Sequence, residues 1–324
     1  MARKALVGCT GFVGTSLQRQ TRFDGLFHSR NIAEIAGQDF DLVICAAAPA
    51  TMWAANQDPE ADKANLDALA SHLSRVKARR FVLISTIAVM DDAGAGYTES
   101  TARFESDKAY GRHRHALEER MLGQFEQCHV LRLPALFGPG LKKNFLFDLL
   151  NPLPSFIKPE RFAELAESFG AAERAALGAW YSLDPALGMH GLDRAGLSQS
   201  ADADMLAGAF AAAGFLARDF TNSASRFQYY NIDRLSGDIG RAVEAGVTVL
   251  NVCSQPLEAR AIALALTGEA FDNPGPPVTC EDMRSDHAAL FGAAGPYLID
   301  GDAVLADLKV FFAAEQARRL GRAQ

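Results

Sequence analysis

Short apolar runs alternate with helix-length segments through the first 150 residues, and this alternation constrains the fold more than any other feature. Lys4–Val7, Phe40–Ala46 (FDLVICA), Arg80–Ser85 (RFVLIS) and His129–Leu133 (HVLRL) are near-continuous apolar runs of strand length. Runs of this kind mark strands covered on both faces. A weaker strand is expected over Gly25–His28. Helices are expected over Thr15–Arg22, from the Asp58 cap and Pro59 to about Val76, and from Ser106 or Asp107 to about Phe125. Asp at the cap with Pro in the first turn is a helix start signal. Strands alternating with helices of ten or more residues give an α/β fold with a doubly wound parallel sheet, Rossmann-like.

After Leu150 the pattern changes. Residues 156–222 are rich in Ala and Leu, with helices expected over Pro159–Leu177 and Asp202–Ala217. The strand–helix rhythm then returns: helix Asn231–Ala245, strand Val247–Val252 and helix Glu258–Leu266. A charged helix is expected after Asp302. The chain has 324 residues, more than the ~250 that one core holds comfortably. We therefore expect a discontinuous first domain, 1–150 with 225–265, and a smaller, mostly helical domain, 151–224 with 266–324.

The first strand runs into Gly8-Cys9-Thr10-Gly11-Phe12-Val13-Gly14 and then into a helix. Closely spaced glycines there let the backbone turn tightly and approach a phosphate, and the free N–H groups of a helix N-terminus face the anion. The spacing is GxxGxxG, which differs from GxGxxG, and such a turn also serves close helix–strand packing. Its place on the first strand of a parallel sheet points to a nucleotide. The net charge is −7 (32 Lys and Arg against 39 Asp and Glu), which argues against binding a nucleic-acid backbone. No apolar run is long enough for a membrane helix, and the glycine-broken start is unlike a signal peptide. Five scattered cysteines without CxxC fit reduced thiols in a cytoplasmic protein, with no zinc site.

Beyond the turn, the chain resembles the extended short-chain dehydrogenases/reductases, the group of NAD(P)-dependent nucleotide-sugar epimerases, dehydratases and reductases. GCTGFVG matches the group's glycine motif, and CAAA (Cys45–Ala48) matches a small-residue stretch beside the cofactor. Asn65 in DKANLDAL matches a helix Asn. ISTIAVM (Ile84–Met90) matches the strand end bearing the catalytic Ser or Thr, here Thr86. YTES (Tyr97–Ser100) and YGRHR (Tyr110–Arg114) match the active-site loop and helix, and RLPALFGPG (Arg132–Gly140) the strand and turn that follow. VLNVCSQP (Val249–Pro256) resembles the returning strand. The resemblance implies cofactor contacts from Gly8, Thr10, Gly11, Phe12, Val13, Gly14, Ala46, Ala47, Ala48, Asn65, Tyr110, Arg114 and Pro134. It also implies a homodimer built on the helices near 58–76 and 107–125.

Tyr110 and Arg114 are four apart and share one helix face. A phenol of pKa near 10 is a poor acid–base at neutral pH. A fixed cation favours its charged form, and a hydroxyl such as Thr86 binds both phenol and substrate oxygen. The resembling enzymes have Lys where Arg114 stands, and that Lys holds the nicotinamide ribose. Arg supplies charge and donors but relays no proton. His113 and His115 flank it and are expected at the surface. Where the dehydratases carry Asp-Glu this chain has Ile87 and Ala88, which argues against dehydration. The presumed second strand ends in His28-Ser29-Arg30 without a carboxylate. Ser29 and Arg30 suit the 2′-phosphate of NADP, as opposed to the 2′-hydroxyl of NAD, although Arg30 also fits a solvent-facing role. The short layout is similar to that of the nucleotide-sugar reductases of the group. Candidates for substrate contact are Trp53, Asn56, Lys142, Lys143, Asn144 and Arg226. Trp53 fits either stacking on a ligand or the core, and the lysine pair fits either a diphosphate or solvated surface. The expected function is hydride transfer between NADP(H) and a nucleotide-linked sugar. Two alternatives are a dinucleotide sensor with weak chemistry and an epimerase with tightly held NAD.

Overall fold

The computed structural model describes residues 3–185 and 187–320. The chain forms two compact units. One comprises Met1–Leu141, Arg226–Leu257 and Cys280–Leu308, the other Lys142–Ser225, Glu258–Thr279 and Lys309–Gln324. These boundaries depart from the expected ones at 142–150, which fall in the second unit, and in the tail. The 258–265 stretch belongs to the second unit and Cys280–Leu308 to the first. The tail segment joins by backbone pairing. Leu298 N donates to Cys253 O at 3.0 Å and Gln255 N to Ile299 O at 2.8 Å.

The first unit is built on a parallel sheet. Its strands are β1 (Lys4–Val7), β2 (Gly25–Phe27), β3 (Asp39–Cys45), β4 (Lys77–Thr86), β5 (Cys128–Leu133) and a returning strand, Val249–Asn251. The spatial order is returning strand, β5, β4, β3, β1, β2. The chain leaves β1 to one side for β2 and then crosses to the other for β3, so the sheet reverses direction between β1 and β3. Ligands bind at such a reversal, beyond the carboxyl ends of the strands. Strand alternation divides the core into two layers. Leu6, Ile44, Val82, Ile84 and Leu131 pack with Leu17, Leu235, Ile239 and Ala242. Leu17 lies on α1 (Phe12–Gln20), and the others on the helix Leu235–Glu244. On the opposite face Val7, Val43, Cys45, Leu83 and Val130 pack with Leu66, Leu69 and Leu73 of α3 (Pro59–Leu73) and with Leu117 and Met121 of α4 (Ala109–Gln124). A short helix missed by pattern reading, α2 (Met52–Gln57), precedes α3. It is too short to show helical periodicity.

The second unit is less purely helical than its composition suggested. An antiparallel sheet orders Phe156–Ile157, Met189–Leu192 and Tyr181–Asp184. The expected helix Pro159–Leu177 is two, Pro159–Ser168 and Ala171–Trp180, broken at Phe169 and the extended Gly170 cap. The helix from Asp202 stops at Ala212, before Gly214 at φ +59°. Phe210 stacks with Tyr181 and meets Phe169 edge-on, and these rings centre the unit's core. Among the described residues no helix is long and apolar enough to cross a membrane.

One buried ion pair ties α4 to the sheet. Arg132 of β5 donates from Nη2 to Glu118 Oε2 at 2.6 Å and from Nε to both carboxylate oxygens at 3.1 Å. Ser85 Oγ donates to Glu118 Oε1 at 2.5 Å. Glu118 is 1% and Arg132 4% exposed, so removing one partner strands a buried charge. Glu118→Leu is expected to cost about 3–5 kcal/mol in denaturant unfolding. A loss under about 1 kcal/mol, the scale of an exposed pair, would contradict this reading.

Candidate active site at the strand ends

The parallel register sets the candidate residues side by side. Val7 pairs with Phe27 and with Cys45, and Thr86 with Leu133. The residues just beyond these ends are Gly8, His28, Ala46 and Pro134. Gly8 N donates to Phe27 O and Ala46 N to Val7 O, each at 2.8 Å.

The three glycines of the turn have separate tasks. Gly8 has φ +87°, and a Cβ there would lie 2.4 Å from Ala46 O. A Cβ on Gly14 would lie 2.1 Å from Gly8 O. These two allow the backbones to touch. A Cβ on Gly11 meets nothing closer than Gly8 O at 3.5 Å. Gly11 is exposed and is the N-cap of α1, with no side chain capping the helix. The α1 N-terminus therefore presents backbone N–H groups that no side chain covers, as an anion requires. Thr10 is exposed and Phe12 and Val13 half-buried beside it.

The loop after β2 is held by Asn31. Its Oδ1 accepts from His28 N at 2.7 Å and its Nδ2 donates to Leu26 O at 3.0 Å. This leaves Ser29 and Arg30 exposed beyond the strand end, next to the glycine turn. No carboxylate occupies the loop. Ala46, Ala47 and Ala48 are half-buried, and Pro134 is buried. These residues and the open turn fit a phosphorylated dinucleotide.

Thr86 ends β4, and its Oγ1 accepts from Ala88 N at 3.2 Å. Tyr110 lies in the first turn of α4, 8% exposed. Its phenol lies near the Thr86 side chain, which acts to lower its pKa. Gly111 makes this approach possible, because a Cβ there would lie 2.1 Å from Ala88 O. The expected Ser106 or Asp107 cap is not used. The helix begins at Ala109, with no side-chain cap from Lys108. Asn56 of α2 accepts from Tyr110 N at 2.9 Å, and Glu105 accepts from Asp107 N and Lys108 N at 2.9 and 3.1 Å. Asn56 thus anchors the tyrosine's helix, a role its assignment to substrate contact did not include.

Arg114 departs most from expectation. Its Nη1 and Nη2 donate to Asp62 Oδ2 and Oδ1 at 2.6 and 2.8 Å, and Nη2 also to Pro49 O at 2.7 Å. The guanidinium carbon lies 3.9 Å from the Tyr110 ring centroid. Both members of the pair are buried. His113 Nδ1 lies 2.8 Å from Asp62 Oδ2, and His115 stacks on Phe104 at 3.6 Å, so neither histidine is the expected surface residue. Burial would raise the Asp62 carboxyl, but hydrogen bonds from Arg114 and His113 hold it below its usual value. Burial pushes the Tyr110 phenol above its ordinary value, and the Arg114 charge and the nearby Thr86 side chain only partly oppose it. The cation that was to favour the phenolate is already matched by Asp62.

The other candidates scatter. Asn65 is exposed on α3, where the buried polar position is Asp62. Trp53 is 47% exposed on α2, so it is not a core residue. Arg226 is exposed, while Gln228 and Tyr229 beside it are fully buried. Gln228 bonds Ser254 O and Met283 O and is structural. In the second unit Lys142 and Lys143 are exposed. Asn144 caps the short helix Phe145–Leu150 by accepting from Leu146 N and Phe147 N, which occupies its carbonyl. Asp62, Gly111 and Glu118 were missed. Arg114 itself was the available signal, because a guanidinium on the buried face of a helix needs a carboxylate.

Gly111→Ala is expected to displace α4 from Ala88. Overpacking of this kind costs about 1–3 kcal/mol, and chemical denaturation together with the near-ultraviolet tyrosine signal would show it. An unchanged midpoint and spectrum would contradict the close approach.

The sequence profile of the family described as RmlD substrate binding domain matches residues 5–156. No curated protein matches in sequence. Solved structures match over nearly the whole chain. dTDP-4-dehydrorhamnose reductase from Bacillus anthracis str. Ames, in complex with NADP, has TM-score 0.61 and 13% identity and covers 97% of this chain and 98% of its own. RMD from Pseudomonas aeruginosa, complexed with NADPH, has TM-score 0.59 and 16% identity, covering 98% and 99%. UDP-N-acetylglucosamine 4-epimerase from Methanobrevibacter ruminantium M1, in complex with UDP-N-acetylmuramic acid, has TM-score 0.60 and 11% identity, covering 98% and 99%. The chain has the fold of the extended short-chain dehydrogenases/reductases, and residues 5–156 carry its match to the RmlD substrate binding domain family.

Proposed function

We propose that the protein is an NADP(H)-dependent reductase of a nucleotide-linked keto sugar. The observation that carries this reading is the buried Tyr110 phenol near the Thr86 side chain at the strand ends, in the same sheet edge as an uncovered glycine turn. The turn from Gly8 to Gly14 would hold the pyrophosphate, Ser29 and Arg30 the 2′-phosphate, and Ala46–Ala48 the adjoining backbone. NADPH held by these residues would supply the hydride for a carbonyl carbon. Thr86 holds the carbonyl oxygen, and Tyr110 gives that oxygen its phenolic proton. Exposed Trp53 is suited to stacking on the substrate's base or sugar. The relatives with NADP or NADPH bound support the cofactor preference.

A protonated phenol is the form a reduction needs. Its raised value keeps it protonated throughout the neutral range. Reductive kcat/KM is therefore expected to stay flat there and to fall as pH rises through a value above the ordinary tyrosine pKa of about 10. A fall centred near neutrality would contradict the assignment of Tyr110.

A panel of keto-sugar nucleotides tests the reading. The wild type should oxidise NADPH with at least one of them, and Tyr110→Phe should lose about 100-fold or more. Undiminished turnover in the variant would remove Tyr110 from the mechanism. Arg30→Ala should weaken NADPH binding while leaving NADH unchanged, as read by nicotinamide fluorescence. Equal effects on both would remove the 2′-phosphate contact. One observation favours a second reading, a dinucleotide sensor with weak turnover: Asp62 occupies the cation that the resembling enzymes present as Lys. NADPH binding without turnover on any substrate would select it.

A further inference from the structure

The guanidinium of Arg114 is fixed at four points. Two are the oxygens of Asp62, at 2.6 and 2.8 Å. The others are Pro49 O at 2.7 Å and Tyr110 O at 3.2 Å. The last contact returns to the backbone of the residue whose ring it covers at 3.9 Å. A bidentate carboxylate–guanidinium pair is planar and rigid. Asp62 therefore does two things at once: it sets the plane of the guanidinium over the Tyr110 ring, and it offsets part of the charge there. His113, bonded to the same carboxylate, backs the pair from α4. The groups facing Tyr110 are Arg114 from its own helix, Asp62 from α3 and the uncharged Thr86 from β4.

We propose that Asp62 is a positioning residue for the Tyr110 chemistry, holding Arg114 as a charge-neutral clamp over the phenol so that Tyr110 serves as a proton donor. This deepens the reductase reading and rests on its assignment of Tyr110. It gives the Arg in YxxxR a function different from that of a Lys. The pair keeps the tyrosine ring in place without pulling its proton off. A lone cation at the same position would favour the phenolate.

The test reads the proton on Tyr110 directly and needs neither cofactor nor substrate. Carbon-13-labelled tyrosine NMR, with Tyr110→Phe to assign the signal, follows the titration of the phenol. In the wild type Tyr110 should titrate above the ordinary tyrosine range. In Asp62→Asn the arginine charge is unmatched, and the titration should move down by about one pH unit or more, the effect of a nearby opposite charge. An unmoved titration in folded Asp62→Asn would overturn the proposal and leave Asp62 a purely structural partner. If Asp62→Asn does not fold, the double variant Asp62→Leu/Arg114→Met decides, since apolar replacements of a buried pair are commonly tolerated. Its Tyr110 should still titrate above the ordinary range, one neutral pair having replaced another. A titration below that of the wild type would overturn the neutral clamp. Failure of the reductase reading shows separately, as absence of turnover with the titration unchanged.

Discussion

Two buried ion pairs along one helix fix the chemistry of this fold. Tyr110, Arg114 and Glu118 are spaced by four on α4 and form one inward stripe. Arg114 is tied to Asp62 on α3, and Glu118 to Arg132 on β5. An apolar face alone would hold the helix against the sheet with some freedom to slide. Bidentate charge pairs allow one register only. With Gly111 seated against the Ala88 carbonyl, that register sets the Tyr110 phenol beside Thr86. Glu99 steadies the neighbouring loop by accepting from Asn251 N, Ser285 Oγ and Asp286 N.

The same pairs govern the electrostatics. The chain carries a net charge of −7, while the ligands it is proposed to bind are anionic. Attraction then rests on local features: the uncovered N-terminus of α1 and the exposed Arg30 beside it. Inside the site the charge is balanced. Burial dominates the behaviour of Tyr110, the Arg114 charge is the main effect opposing it, and Asp62 offsets part of that charge. A neutral, buried phenol next to a hydroxyl suits carbonyl reduction better than it suits abstraction of a proton at neutral pH.

The sheet was legible because its strands are buried on both faces and leave apolar runs that solvent-exposed segments do not. The glycine turn was legible because Gly8 and Gly14 each stand where a Cβ would strike backbone within 2.4 Å. Helix starts were less so. Asn56 anchors α4 from 54 residues away, and such an anchor has no local signature. The break at Gly170 and the three-stranded sheet of the second unit depend on packing around Phe210, which no period in the sequence encodes. Asp62 was invisible for a related reason. It lies 52 residues from Arg114 in the chain, and only the packing of α3 on α4 brings the two together. Arg in the place of Lys was the trace it left.

Tyr110 and Thr86 are proposed to serve a hydride transfer to a sugar carbonyl. Mass spectrometry of the product formed with deuterium-labelled NADPH tests it most directly. The expected result is one deuterium bound to the former carbonyl carbon of a nucleotide-linked sugar, formed about 100-fold or more slowly by Tyr110→Phe. No labelled product from any keto-sugar nucleotide, with NADPH bound and the protein folded, would contradict it.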